Sequence, residues 1–183
     1  MPKIFINPGH APDGNPDPGA VNADTGLREC DVALVIGNKV SDYLQAVGFE
    51  TQVLQSDSLA EICAEANNWT ADLFISVHCN SAASGQANGT ETWYCYGSPD
   101  SQSLAGFINS QINKSLELTD RGIKSARPHV NGLYVLTNTD MTAVLVETAF
   151  ISNIEDEKKL CCPTCQDEFA KAIARGITDY FAQ

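Results

Sequence analysis

The sequence predicts a single α/β domain built around a largely parallel sheet. Short apolar runs of strand type alternate along the chain with longer stretches whose apolar residues recur at helical spacing. The 183 residues suit one compact domain, long enough to bury a core without disulfide staples. Apolar residues make up 43% and charged residues 19%, a balance that excludes disorder as the main state.

Lys3–Asn7 opens the chain as a strand. The Pro8–Gly19 segment holds Pro8, Pro12, Pro16 and Pro18 with Gly9, Gly14 and Gly19, so it is a long loop leaving the strand end. Loops of this length in compact domains often carry function. Val32, Val35, Ile36, Val40, Leu44 and Val47 share one helical face, and Gly48 stops that helix. Phe49–Leu54 reads as a strand, and Leu59, Ile62, Cys63 and Ala66 as a second helical stripe. Leu73–Val77 is a buried strand; Glu91–Tyr96 is another, close enough in sequence to lie antiparallel to it. Leu104, Phe107, Ile108 and Ile112 mark a third helix, Leu133–Leu136 and Val144–Val146 two short strands, and Phe169, Ile173, Ile177 and Tyr180 the last helix. There is no internal repeat or linker.

Charge and hydropathy narrow the function classes. Eleven Lys plus Arg against 23 Asp plus Glu give a formal charge of −12, which repels phosphate backbones and argues against nucleic acid as a partner. The longest apolar runs, such as Ala143–Val146, fall far below the roughly 18 residues of a membrane span. The first residues lack the basic segment, apolar stretch and cleavage site of a signal peptide. The expectation is therefore synthesis in the cytoplasm, trimming from a longer chain, or another export route. Seven cysteines, an odd number, sit mostly in apolar segments and read as reduced buried thiols.

Three side chains stand where chemistry is expected. His10 follows the first strand through Pro8-Gly9, His78 follows Phe74–Val77, and Glu147 follows Ala143–Val146. Ligands of open α/β sheets gather beyond the carboxyl ends of parallel strands, so the three would share one crevice. A lone histidine in apolar surroundings is usually just packed. An ionised glutamate inside Val-Leu-Val-Glu-Thr-Ala-Phe is costly to bury alone and asks for a cation or a proton-transfer role, unless an Arg or Lys pairs with it. Two imidazoles and a carboxylate suit zinc with a fourth position open. Glu29, at the start of the first long helix, is the best candidate for the third ligand, although the helix dipole alone would also favour an acid there.

In order along the chain stand Ile6-Asn7-Pro8-Gly9-His10, Asp17-Pro18-Gly19-Ala20, Gly26-Leu27-Arg28-Glu29, Leu73-Phe74-Ile75-Ser76-Val77-His78-Cys79-Asn80 and Leu145-Val146-Glu147-Thr148-Ala149-Phe150-Ile151-Ser152-Asn153. This set resembles the zinc-dependent N-acetylmuramoyl-L-alanine amidases of the third amidase family, found in bacterial autolysins and phage endolysins. Asn67, Gly89 and Arg121-Gly122-Ile123-Lys124 add weaker likeness. The resemblance implies that residues 1–183 form an amidase catalytic domain, with a mixed, mostly parallel sheet of about six strands flanked by helices on both faces. It implies one catalytic zinc held by His10, Glu29 and His78, with Glu147 as the catalytic glutamate. The implied reaction is hydrolysis of the amide between the lactyl group of N-acetylmuramic acid and L-alanine. A zinc-activated water is the nucleophile, and Glu147 serves as general base and then acid. The implied partner is peptidoglycan or muramyl peptides and the implied place of action the bacterial cell wall; no substrate-binding residue or oligomeric state is assigned. Val53-Leu54-Gln55 and Met141-Thr142-Ala143 depart from the family pattern, where Thr-Arg and a proline are common; both concern substrate-side contacts.

The remaining signals are read more plainly. Asp13, Asn15 and Asp17 have the alternate spacing of a calcium loop, but Pro18 and Asp24 replace its Gly and Glu, so a solvated turn is expected. Cys161-Cys162-Pro163-Thr164-Cys165 contains one CxxC ahead of the last helix and reads as capping or incidental thiols. Cys79 would point away from His78 and so lacks a base. His129 reads as a surface histidine. The competing readings are a zinc peptidase, a non-catalytic wall-binding module, and a thiol redox protein using Cys162 and Cys165. A strongly acidic chain should also approach an anionic wall poorly unless some local surface is less negative or a separate region or partner does the targeting.

Overall fold

The computed structural model describes residues 1–128 and 130–183, so the expectation for His129 lies outside the described residues. Strands β1 (Lys3–Pro8), β2 (Glu50–Val53), β3 (Leu73–Asn80), β4 (Thr90–Cys95), β5 (Asp120–Ala126) and β6 (Thr142–Phe150) form a 6-stranded sheet in the order β2-β1-β3-β6-β4-β5. β2, β1, β3 and β6 run parallel; β4 is antiparallel to β6, and β5 is parallel to β4. The helices are α1 (Glu29–Ala46), α2 (Leu59–Asn68), α3 (Pro99–Leu116), α4 (Tyr134–Thr137), α5 (Ile154–Leu160) and α6 (Pro163–Phe181).

Strand alternation sorts the core into two layers. Ile4, Ile6, Ile75, Val77, Val144 and Val146 pack with the buried faces of α1, α3 and α6. Phe5, Phe74 and Leu145, of opposite parity, pack with Ile62, Cys63 and Ala66 of α2 and with Val135 and Leu136 of α4. Burial of both faces is why β3 and β6 read as nearly continuous apolar runs. The chain leaves β1 toward β2 on one side and leaves its neighbour β3 toward β4 on the other, so the two connections run in opposite directions. A crevice opens at such a switch point, beyond the carboxyl ends of β1 and β3.

Several expectations need correction. Leu133–Leu136 is not a strand; Tyr134–Thr137 is one helical turn, closed by Thr137 and Asn138 side chains that hydrogen-bond to the carbonyls of Leu133 and Tyr134. A four-residue apolar run cannot distinguish strand from buried helix by period. The strand expected there is β5 instead, a polar edge strand whose side chains face solvent on one side. Its register with β4 moves from Thr90↔Asp120 to Thr92↔Ile123, so β5 carries an extra residue beside Gly122 (φ 75°). α5, absent from the expected elements, has a readable signature: Asn153 caps the N–H groups of Glu155 and Asp156, with acids in the first turn and lysines in the last. β4 is antiparallel, but to β6 and not to β3. The thiols also divide. Cys30, Cys63 and Cys79 are buried, while Cys95, Cys162 and Cys165 are half-exposed and Cys161 is exposed, because those four sit at a strand end and at the α5–α6 junction.

Candidate active site

The loop after β1 folds back before α1 begins. The Gly9 N–H donates to Val77 O and the Ala11 N–H to Asp17 O, both at 2.9 Å; Val21 and Arg28 form an antiparallel bridge; and the Glu29 N–H donates to Ala20 O at 2.9 Å. This lays Gly19 and Ala20 against the first turn of α1. Gln55, one of the two departures from the family pattern, donates to Gly9 O (3.0 Å) and Cys30 O (2.9 Å), so it braces the loop from behind.

Glu29 is the hub. Its buried carboxylate accepts from the Ala20 N–H at 2.8 Å through Oε2 and from the Cys79 N–H at 3.0 Å through Oε1. His10, held at a φ of 67°, places Nε2 3.0 Å from Oε2, and His78 places Nδ1 2.9 Å from Oε1. The two rings meet edge to face with centroids 5.0 Å apart. One ligand-capable atom of each residue lies within 4.8 Å of the others, the one such group of three among the described residues. Glycine is needed twice here: a Cβ at Gly9 would collide with the His78 ring, and one at Gly19 (φ 70°) with His10 and the Glu29 carboxylate.

The electrostatics favour a cation. Burial disfavours charge on His10, yet the carboxylates of Glu29 and Asp17 raise it to about 9. Burial likewise opposes ionisation of Glu29, but His10 and His78 hold it well below the usual carboxylate range. The Nε2 of His10 is buried, and its 3.0 Å approach to Glu29 Oε2 is an ion-pair contact that lacks hydrogen-bond geometry. Two imidazole nitrogens and a carboxylate oxygen within 4.8 Å of one another form a donor set that fits zinc.

Asp17 is exposed, as a solvated turn predicts, but it also reaches the site. Its Oδ2 faces His10 Nδ1 at 2.8 Å and its Oδ1 accepts from the Gly19 N–H at 2.9 Å. A carboxylate behind a ligating histidine fixes the ring so that the other nitrogen faces the metal. Asp17→Asn should therefore weaken zinc binding by about 10–100-fold with the fold intact. Competition with a chromophoric chelator checks this, and unchanged affinity would rule out the orienting role.

Glu147 lies within β6, directly opposite His78 on one neighbour and Glu91 on the other. Directly opposed residues share a sheet face, so His78, Glu147 and Glu91 form a row on the α2 side. The Oε2 of Glu147 is buried with no partner. Burial, reinforced by the charges of Glu29 and Glu91 and partly offset by His78, pushes its carboxyl up to about 7. Glu91 is also buried, but Lys124 (2.5 Å) and Arg121 (2.7 Å) ion-pair with it and Trp93 Nε1–H donates to it at 3.1 Å. Those cations outweigh burial and keep Glu91 below the ordinary range. Their environments thus push the two carboxylates apart, leaving Glu147 with the higher proton affinity. The signal that singles out Glu147, an acid inside a buried strand, is equally present at Glu91 in Thr-Glu-Thr-Trp-Tyr.

The structure thus brings His10, Glu29, His78 and Glu147 together at one end of the sheet. Beside them opens a cleft of about 310 Å³ whose walls include Asn7, Asp17, Leu59, Tyr134 and Leu145. On the β4–β5 side, Arg121 stacks over Phe150 (4.7 Å), Lys124 over Trp93 (5.6 Å) and Arg127 over Tyr96 (4.3 Å), a local cationic strip on an acidic protein. Cys79 is buried against Thr148 with its thiol pushed well up by burial, which excludes it as a nucleophile.

The chain matches the N-acetylmuramoyl-L-alanine amidase family over residues 4–179. It is 38% identical to the N-acetylmuramoyl-L-alanine amidase LytC of Bacillus subtilis (strain 168), covering 97% of this chain and 35% of LytC. Among solved structures, an N-acetylmuramoyl-L-alanine amidase from Clostridium difficile 630 superposes with a TM-score of 0.88 at 30% identity, covering 100% of this chain and 97% of that one. The catalytic domain of the amidase CwlV from Bacillus (Paenibacillus) polymyxa var. colistinus gives 0.88 at 31%, covering 100% and 99%.

Proposed function

The chain belongs to the N-acetylmuramoyl-L-alanine amidase family and is an amide hydrolase of peptidoglycan, and from that premise we propose that it works as a zinc enzyme, with His10, Glu29 and His78 as the metal ligands and Glu147 as the proton carrier. The observation that carries this reading is the buried, unpartnered Oε2 of Glu147 beside the His10–Glu29–His78 cluster. The bond cut is the amide joining the lactyl group of N-acetylmuramic acid to L-alanine.

Zinc bound there supplies Lewis acidity toward a water molecule and the scissile carbonyl. His10 and His78 present ring nitrogens, and Glu29, anchored by two backbone N–H groups, holds both rings in place. Asp17 fixes the His10 ring from behind. Glu147 Oε2 takes the proton of the attacking water, then delivers it to the alanine nitrogen as the amide C–N bond breaks. Ion-paired Glu91 stays charged and raises the proton affinity of Glu147, which suits a group that must both accept and return a proton. Among the described residues no helix is long and apolar enough to cross a membrane; the reading places the activity at the cell wall.

Two pH dependences follow. Glu147 acts as a base only when ionised. Its carboxyl is raised to about 7, and a nearby cation favours the charged form, so kcat/KM should fall along a one-proton limb at or below that value. A profile flat through this range would remove Glu147 from the base role. His10 is raised from 6.5 to about 9, so in the metal-free protein its contribution to stability is full below 6.5 and lost as pH rises through about 9. Zinc must displace that proton, so the rise in Tm on adding zinc should grow with pH across this window; a constant shift would contradict it.

The test of function is digestion of purified peptidoglycan with the chelated and zinc-restored protein, scoring newly freed alanine amino termini. Zinc-dependent appearance of those termini is expected. Cleavage of plain peptides without it would point to a peptidase, and binding without cleavage to a non-catalytic module.

A further inference from the structure

The thiols at the start of α6 take no part in the chemistry above. Cys162 is the N-cap of α6 and Pro163 lies in its first turn. Cys165 follows at i+3, the spacing that puts two side chains on one helix face. Cys162 Sγ lies 3.1 Å from Thr164 Oγ1, and Cys162 and Cys165 stand one helical turn apart at the exposed start of α6. Both thiols are partly open to solvent. The backbone on either side is fixed: the Cys161 N–H donates to Glu157 O (2.9 Å), the Gln166 N–H to Cys162 O (2.9 Å) and the Gln166 side chain to Leu160 O (2.6 Å). Phe169 and Ile173 anchor the helix in the core.

The pair is asymmetric. The Thr164 hydroxyl, the Cys165 N–H and the Cys165 thiol lower Cys162 to about 7, whereas burial and the neighbouring Cys162 push Cys165 up. One sulfur is thus disposed to attack at neutral pH and the other to resolve. Cys161, Cys162 and Cys165 do not converge as a three-ligand metal cluster among the described residues. We propose that Cys162 and Cys165 form a redox-active dithiol that exchanges with low-molecular-weight disulfides of the glutathione class. The Cys162 thiolate attacks one sulfur of the external disulfide, forming a mixed disulfide and releasing one external thiol. Cys165 gives its proton to solvent and attacks the Cys162 sulfur, closing the Cys162–Cys165 bond and releasing the second external thiolate, which is protonated. Two protein thiols are oxidised and one external disulfide is reduced to two thiols.

The test is equilibration of the whole chain in reduced and oxidised glutathione buffers, followed by acid quenching, alkylation and peptide mass mapping. Cys162 and Cys165 should disappear together in one transition as a single intramolecular disulfide. Iodoacetamide should label Cys162 about 10-fold faster than Cys161 at neutral pH. Cys165→Ser should stop at a Cys162–glutathione adduct, and Cys162→Ser, a residue suited to the N-cap position, should block both products; far-UV melts check that both variants fold. The proposal is overturned if Cys161 reacts as fast as Cys162, if no Cys162–Cys165 bond accumulates at any buffer ratio, or if zinc at one equivalent shields all three thiols from alkylation.

Discussion

Glu147→Gln is expected to lower kcat on peptidoglycan by about 10²–10⁴-fold, the usual worth of a positioned general base and acid, while the zinc content stays at the wild-type level. The amide matches the carboxylate in size, so the half-buried pocket between His78 and Glu91 stays filled. What is lost is the acceptor for the water proton. Because Glu147 Oε2 has no hydrogen-bond partner, the substitution breaks no existing bond at that atom, and the fold should be unharmed or slightly stabler. Steady-state assays with elemental analysis of the same sample check both halves. An active Glu147→Gln protein would end the assignment.

Glu29→Ala should be more damaging still, because that carboxylate serves both the site and the fold. Its removal leaves the Ala20 and Cys79 N–H groups without their acceptor and both imidazoles without the carboxylate they share. Breaking a buried charged pair from one side costs about 3–5 kcal/mol, so denaturation in chelator should show a loss of that order along with complete loss of bound zinc. Glu29→Gln keeps acceptor oxygen for an amide and should recover part of the stability but not the metal. His10→Ala, which leaves Glu29 paired with His78 and both N–H groups, should lose metal with a smaller stability change. Equal stability losses in Glu29→Ala and His10→Ala would mean that Glu29 is not the hub.

The site was legible where it follows from sheet logic. His10, His78 and Glu147 sit near the carboxyl ends of apolar runs, and ligand chemistry gathers there in any open parallel sheet. The apolar runs end before His78 and Glu147, whereas β3 and β6 continue through both residues to Asn80 and Phe150; this added pairing is what sets the two side by side. Glu29 needed the resemblance, since a helix-start acid has an ordinary explanation in the dipole. Asp17 was hidden because its role depends on the loop folding back on His10, a contact between residues with no periodic signal. Arg121 and Lys124 reach the same Glu91 oxygen because the bulge in β5 turns both toward it, and a bulge at a polar edge leaves no hydrophobic pattern to read. The α4 turn was mistaken for a strand because Leu133–Leu136 is shorter than the period that would distinguish them.

A zinc-edge anomalous difference map from crystals of the zinc-loaded protein is the sharpest check. One peak should lie within about 2.0–2.2 Å of His10 Nε2, a ring nitrogen of His78 and a carboxylate oxygen of Glu29. A map with no peak between those side chains, or with its density at Cys161, Cys162 and Cys165 instead, would contradict a catalytic zinc at the sheet's carboxyl end.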